Sequence, residues 1–193
     1  LMCCACNDHS REVAEATAKD NGPVYRNLSD SAHYVGMQTC KTCHENIYQT
    51  FIRTGMGRSF GVATRQRSSA RFGRAFVNDK HSGLSYYAYW NHDSLYMREY
   101  RLHGKDTIHS RTEQVNYIIG SGQHTNSHMQ SVNGYVTQMP MTFYTQTAKW
   151  DMPPGFENGM NTRFSRKIGL ECMTCHNGFP EFVEGSENKY TRL

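Results

Sequence analysis

Short stretches of alternating apolar and polar residues fill the middle of this chain. "FGRAFVN", "LSYYAYW", "SLYMREYRL" and "DTIHSRT" are rich in aromatic and branched residues, and "NDKHSG", "NHDS" and "HGKD" separate them. A period of two, punctuated by turn residues, predicts an antiparallel β meander. "QVNYIIG" is placed to extend it. The flanks follow a different pattern. In "TCKTCHENIYQTFIRTGMG", Ile47, Phe51 and Tyr48 share a helical face with the cysteines, and Gly55 and Gly57 end the run. "RFSRKIGLECMTCHNGFP" reads as helical up to its cysteines, with Gly178 and Pro180 closing it. Between the meander and this helix, "SGQHTNSHMQSVNG", "YVTQMPMTFYTQ" and "DMPPGFENG" keep to no single period and are read as irregular. Residues 7–33 are polar; "SREVAEATAKD" has helix formers but no apolar stripe, and "NGP" breaks it. The expected organisation is an N-terminal tether over residues 1–33 and one domain over 34–193. The expected class is α+β: loop-rich, with short helices carrying the cysteine motifs around a central antiparallel meander.

Composition adds a constraint. Of 193 residues only 37% are hydrophobic, low for a domain of this size, while aromatics reach 12% with 12 Tyr. Either something other than aliphatic side chains fills part of the interior, or the domain is polar and loop-rich. The formal charge of +4 comes from 21 basic and 17 acidic residues. The densest basic stretch runs from Arg58 to Arg74 through Arg65, Arg67 and Arg71. It is too broken for the continuous basic face that nucleic acid requires. No run of about 18 apolar residues predicts a membrane-spanning helix. The opening "LMCCACNDHS" holds Cys3, Cys4 and Cys6. It resembles the end of a bacterial lipoprotein signal peptide, with Ala5 before a lipid-bearing Cys6. A local disulfide or an unreactive tail is the plain alternative.

The chemistry concentrates in a repeated pentapeptide. "CKTCH" spans Cys40 to His44, and "CMTCH" spans Cys172 to His176. Two cysteines three apart on a helical turn point the same way. They match the two vinyl groups of one haem, and the histidine that follows lies under the iron as proximal ligand. A zinc ribbon brings its Cys pairs about 15–20 residues apart and does not require a histidine at one fixed offset. A thioredoxin-like pair needs a βαβ setting, and none is visible. The expected cofactors are two covalently bound haem c groups, on Cys40, Cys43 and His44 and on Cys172, Cys175 and His176. Covalent attachment of this kind takes place outside the cytoplasm, so the expected location is exported: periplasm, outer membrane or cell surface of a bacterium.

The sixth ligand of each iron separates a carrier from an enzyme. "GSGQHTNSHMQ" offers His124 and His128 on a backbone of small residues able to approach a macrocycle, with His124 preferred. Met56 lies twelve residues after His44 in "TGMGRSF", and packing against a haem would equally account for it. His81, in "DKHSG", is a further candidate. His92 and His103 fall in turns and read as solvated; His109 falls on a strand.

"YVGMQTCKTCHENIYQTFIRTGMGRSF" resembles the opening of exported multihaem c-type cytochromes, the broad class of tetrahaem carriers and hydroxylamine-oxidoreductase-like proteins. "VNYIIGSGQHTNSH", "MPMTFYTQTAKWDMPPGFE" and "IGLECMTCHNGFP" are similar to a subgroup that often carries tetratricopeptide repeats downstream. The resemblance covers residues 34 to 193 and implies a multihaem cytochrome c domain. It implies a histidine, in a Ser-x-His context, at the place Met56 occupies here; a methionine ligand would raise the potential. The resemblance and the motifs together lead to an expected dihaem cytochrome that passes electrons to other redox proteins or to like subunits in a haem chain or filament. Arg53, Arg58 and Arg163 are candidate partners for the four propionates, whose charge would offset the +4. The rival is a haem enzyme acting on nitrite, hydroxylamine or peroxide, with His109 or Tyr117 as acid–base group. A third reading makes haem mainly a structural core.

Overall fold

The structure is a computed structural model describing Tyr25, Arg26, Ser29 and residues 31–193. The chain divides into two units, Leu1–Tyr34 and Val35–Leu193. Cys6, the expected lipid anchor, and most of the expected tether lie outside the described residues.

The second unit is built mainly of strands, which corrects the expected α+β class. Helix is confined to α1 (Met37–Lys41), α2 (Glu45–Phe51) and α3 (Leu170–His176), of 5, 7 and 7 residues. Four strands form one antiparallel meander: β2 (Phe76–Asp79), β3 (Leu84–Asn91), β4 (Ser94–His103) and β5 (Asp106–Val115). A second sheet has the order β1-β6-β7-β8-β10, from β1 (Phe60–Val62), β6 (Tyr117–Ile119), β7 (Thr125–Val132), β8 (Tyr135–Tyr144) and β10 (Arg166–Lys167). In it β9 (Lys149–Asp151) also pairs with β8. A small hairpin of β11 (Glu181–Phe182) and β12 (Tyr190–Arg192) completes the fold.

The stretches read as irregular from Ser121 onward are thus largely β7 and β8, the centre of the second sheet. Two features hid them. Polar residues sit at buried positions, among them Asn126, His128 and Thr142, all 0% exposed. And Pro140 lies within β8, where a missing N–H argues against a central strand. The ladder resolves the conflict. Pairing with β7 shifts register between Ser127 and Met129. On the other edge β9 takes Thr142–Tyr144 and β10 takes Thr137 and Gln138. Pro140 falls in the gap on both sides, so its absent donor breaks no rung.

Period-two alternation then sorts side chains into layers. Tyr86, Ala88, Leu95 and Met97 of the meander pack on Ile118, Met139, Met141 and Phe143 of the second sheet. Each fully buried large side chain here contributes roughly 1.5–3 kcal/mol. The second sheet's other face carries Tyr117, Ile119, Met129 and Val136 toward Ile168, Met173 and Tyr190. The second sheet is therefore the middle layer, with the meander on one side and α3 on the other.

His128 belongs to the first interface. Its ring is 0% exposed and stacks on Trp150 at 5.2 Å, and its Nδ1 lies 3.0 Å from the Met141 carbonyl. Burial disfavours the charged imidazole, the Met141 carbonyl opposes this weakly, and the pKa falls to about 4. A folded-state pKa below the ordinary 6.5 means that the unfolded chain binds the proton first. Stability should therefore decline as pH drops from about 6.5 toward 4. Urea unfolding across this range should show the slope in the native chain and a reduced slope in His128→Phe.

Candidate functional site

Each cysteine motif is placed by a different local device. In the first, Thr39 Oγ1 donates to Val35 O at 2.9 Å as α1 begins, and His44 N–H donates to Cys40 O at 3.0 Å as it ends. His44 then becomes the N-cap of α2, and its carbonyl accepts from Tyr48 N–H at 2.9 Å. Cys40, Cys43 and His44 so occupy one turn between two short helices, and neither helix has a buried residue. Val35, Met37, Ile47 and Phe51 all stand exposed around it. In the second motif α3 alone carries Cys172, Cys175 and His176, and Met173 pins the helix to the second sheet with 0% exposure. The four motif cysteines are free and exposed. The Cys172 thiol is pushed up by partial burial first and then by the Glu171 carboxylate beside it.

α3 does not lie flush on the sheet. Between them is a cleft of about 420 Å³. The sheet contributes Ile119, Thr125, Ser127, Met129 and Gln138; the helix contributes Cys172, Cys175 and His176. Thr125, Ser127 and Met129 alternate with the inward Asn126 and His128, so strand periodicity alone gives the cleft its wall. Gly120 sits at its rim with φ +100, and a Cβ there would lie 2.5 Å from Thr125 O. Only glycine suits both the backbone conformation and the close approach.

A second opening, of about 360 Å³, adjoins the end of α3 and is lined by Met56, His124, Cys175 and His176 together with Ser59 and Ser121. Three segments far apart in sequence meet here. Ser59 Oγ donates to His176 O at 3.1 Å, and Gly120 N–H donates to Ser59 O at 2.6 Å. His124 follows on the same loop, where its carbonyl accepts from Thr145 N–H at 2.8 Å and its Nδ1 lies 2.8 Å from the Gln146 amide.

The structure thus sorts the expected ligands. Met56 and His124 are brought to the second motif. His81 lies in the β2–β3 turn, lines neither opening, and has Gly159 as a neighbour. His128 is sealed in the sandwich on the opposite face of β7 from the cleft, so an iron bond there would require the two sheets to part. Arg163 is committed elsewhere: it pairs with Glu99, which is 0% exposed. His109 bonds the same carboxylate at 2.8 Å on the meander, and Tyr117 stacks on Phe60 at 5.1 Å. Neither is poised as an acid–base group at the second motif. Sequence reading missed Glu99 altogether, because a buried carboxylate in "YMREY" looks like an ordinary outward strand charge.

Among the described residues no three His, Cys, Asp or Glu side chains converge to hold a metal ion. Structural zinc takes four such donors around one ion. A c-type haem takes two thiols and one imidazole from each motif, with at most one further side chain. The donors present fit haem: two thiols and an imidazole border a cleft with apolar walls at α3, and the same set stands amid uncovered apolar side chains at α1 and α2. No helix among the described residues is long and apolar enough to cross a membrane. The chain matches no family model, no curated protein and no solved structure.

Proposed function

We propose that the chain is an exported dihaem c-type cytochrome that carries electrons. The observation that carries this reading is the cleft between α3 and the second sheet, which Cys172, Cys175 and His176 face together from one helix. Haem supplies a metal centre that gains and loses one electron, with its potential set by ligands and burial. The chain supplies everything that fixes that centre. Cys172 and Cys175 would anchor the macrocycle, and His176 and His124 would offer imidazoles to the iron, with Met56 beside His124. Cys40, Cys43 and His44 hold the other group on an open surface.

Two haems on one chain are useful when electrons pass between them and then leave. The motifs are 132 residues apart in sequence (176 − 44), yet α2 and one turn join them in space. α2 is seven residues long, on the order of 10 Å. Gly57 folds back on Phe51, where a Cβ would lie 2.2 Å from the Phe51 carbonyl oxygen, and Ser59 then bonds His176. This path keeps the two histidines within on the order of 25 Å of each other. The open side of the first motif is where electrons exchange with a redox partner or a like subunit. Export follows from the attachment chemistry, and membrane contact would come only through a lipid on Cys6.

The test is maturation in a host that attaches haem c, followed by intact-mass measurement and redox titration. A chain carrying two haem increments, with reversible reduction and no carbon monoxide uptake at the haem of the second motif, is the expected result. Bare polypeptide, or zinc in place of iron, would end the reading. Fast carbon monoxide binding at the haem of the second motif would turn it toward an enzyme.

A further inference from the structure

Beside the second motif lies a smaller cleft of about 220 Å³, lined by Arg58, Thr64, Gln66, Arg67 and Ser121. It holds two guanidinium groups, and among the described residues neither takes part in a salt bridge. Their placement is enforced. Arg67 Nη1 donates to Arg58 O at 3.0 Å. The rest of the Arg67 head lies against Gly61, where a Cβ would come within 2.5–2.6 Å of Cζ, Nε and Nη2. Glycine at 61 is what lets the guanidinium rest flat on strand β1. Burial, and then the nearby Arg58 charge, hold Arg67 below its ordinary range. Two like charges gathered in a partly buried cleft are unfavourable alone and become favourable around an anion.

Ser121 says where that anion would sit. It lines this cleft and also the opening shared by Met56, His124, Cys175 and His176. Resting on the haem reading above, we infer that Arg58 and Arg67 form the seat for a propionate carboxylate of the haem at the second motif. Arg67 is the fixed member, offering a planar donor edge that suits a carboxylate. Arg58 adds charge in the same cleft, and Thr64, Gln66 and Ser121 offer hydroxyl and amide groups to the remaining oxygen lone pairs. A free oxyanion shares this chemistry and is the competing source.

The experiment uses the matured full chain, its two haems verified by mass, and compares it with Arg67→Gln, Arg67→Lys and Arg58→Gln. A guanidinium beside a propionate favours the reduced iron, so Arg67→Gln should lower the potential of one haem and leave the other in place. Arg67→Lys should recover part of the shift. The propionate bending band in the resonance Raman spectrum should move in Arg67→Gln, a change that loosened packing elsewhere would not produce. Unchanged potentials and an unchanged band in a two-haem Arg67→Gln chain overturn the assignment. So does calorimetric binding of inorganic phosphate or nitrite by the matured native chain that is lost in Arg67→Gln, because the seat is then open to free anions. A chain without covalent haem fails at the mass measurement, and that outcome sinks the haem reading first and this assignment with it.

Discussion

Replacing Arg163 by methionine is expected to destabilise the folded chain by about 1–3 kcal/mol, the usual cost of removing a charged hydrogen-bond partner from a buried group. Glu99 is 0% exposed on the inner face of the meander. Arg163 Nε reaches its Oε2 at 2.9 Å, and Arg163 Nη2 and His109 both contact Oε1. Burial alone would push the Glu99 carboxyl up; hydrogen bonds from Arg163, His109 and Tyr86 outweigh it and hold it below its ordinary value. In the native chain this group therefore stabilises above the unfolded pKa of about 4.3, and the contribution is lost as pH falls through the lower folded value. Without Arg163 the offset shrinks, because only His109 and Tyr86 then oppose burial. The folded pKa rises, so the carboxylate stabilises the folded chain less at neutral pH, and the difference fades on acidification. Urea unfolding of both chains at pH 7 and pH 4 checks this: the gap should shrink at the lower pH. The pair Glu99→Met with Arg163→Met should recover much of the loss, since apolar replacement of a whole buried pair is often neutral. Arg163 also holds φ +60, a conformation that favours glycine, so the backbone contributes strain that the ion pair and the Arg163 N–H bond to Asn161 Oδ1 at 2.8 Å help to offset.

This network shows where sequence reading stops. Alternation in "LSYYAYW" and "SLYMREYRL" marks strands because most inward positions there are apolar. It does not mark Glu99 as inward, since its partner Arg163 lies 64 residues away in the loop before β10. The same blindness misread the second sheet. Asn126, His128, Gln130 and Thr142 are buried polar residues bonded to Ser69, the Met141 carbonyl, the Phe164 carbonyl and Ser127, with His128 Nε2 and Gln130 Oε1 left without a protein partner. Each partner is distant in the chain or on a neighbouring strand, so periodicity counts these positions as loop. The tyrosines err the other way: Tyr87, Tyr89 and Tyr96 stack on the outer face of the meander and make both faces look apolar. The cysteine motifs were legible because their chemistry needs five consecutive residues and nothing distant. The convergence of Met56, His124 and His176 was not, because it depends on the Ser59 and Gly120 hydrogen bonds that tie three segments together.

That convergence leads to the last expected result. In the matured chain, His124→Ala should open one iron: its ferric spectrum should change from low spin to high spin, and the reduced form should bind carbon monoxide. Met56→Ala should leave that iron six-coordinate. The case for His124 over Met56 rests on what holds each side chain. Met56 is 70% exposed, and the contacts at its turn come from the backbone and from Thr54 and Ser59, not from the thioether. The His124 ring is oriented by Gln146, 2.8 Å from Nδ1. With the amide turned so that its oxygen faces the ring, Nδ1–H donates to it and the Nε2 lone pair is left for a metal. A partner of this kind fixes the tautomer and strengthens the ligand. Gln146→Leu should accordingly give a graded change, a weaker field at one iron without its full opening, where His124→Ala gives the whole effect. If His124→Ala leaves both spectra untouched while Met56→Ala opens a site, the thioether is the ligand and the Gln146 contact only anchors a loop.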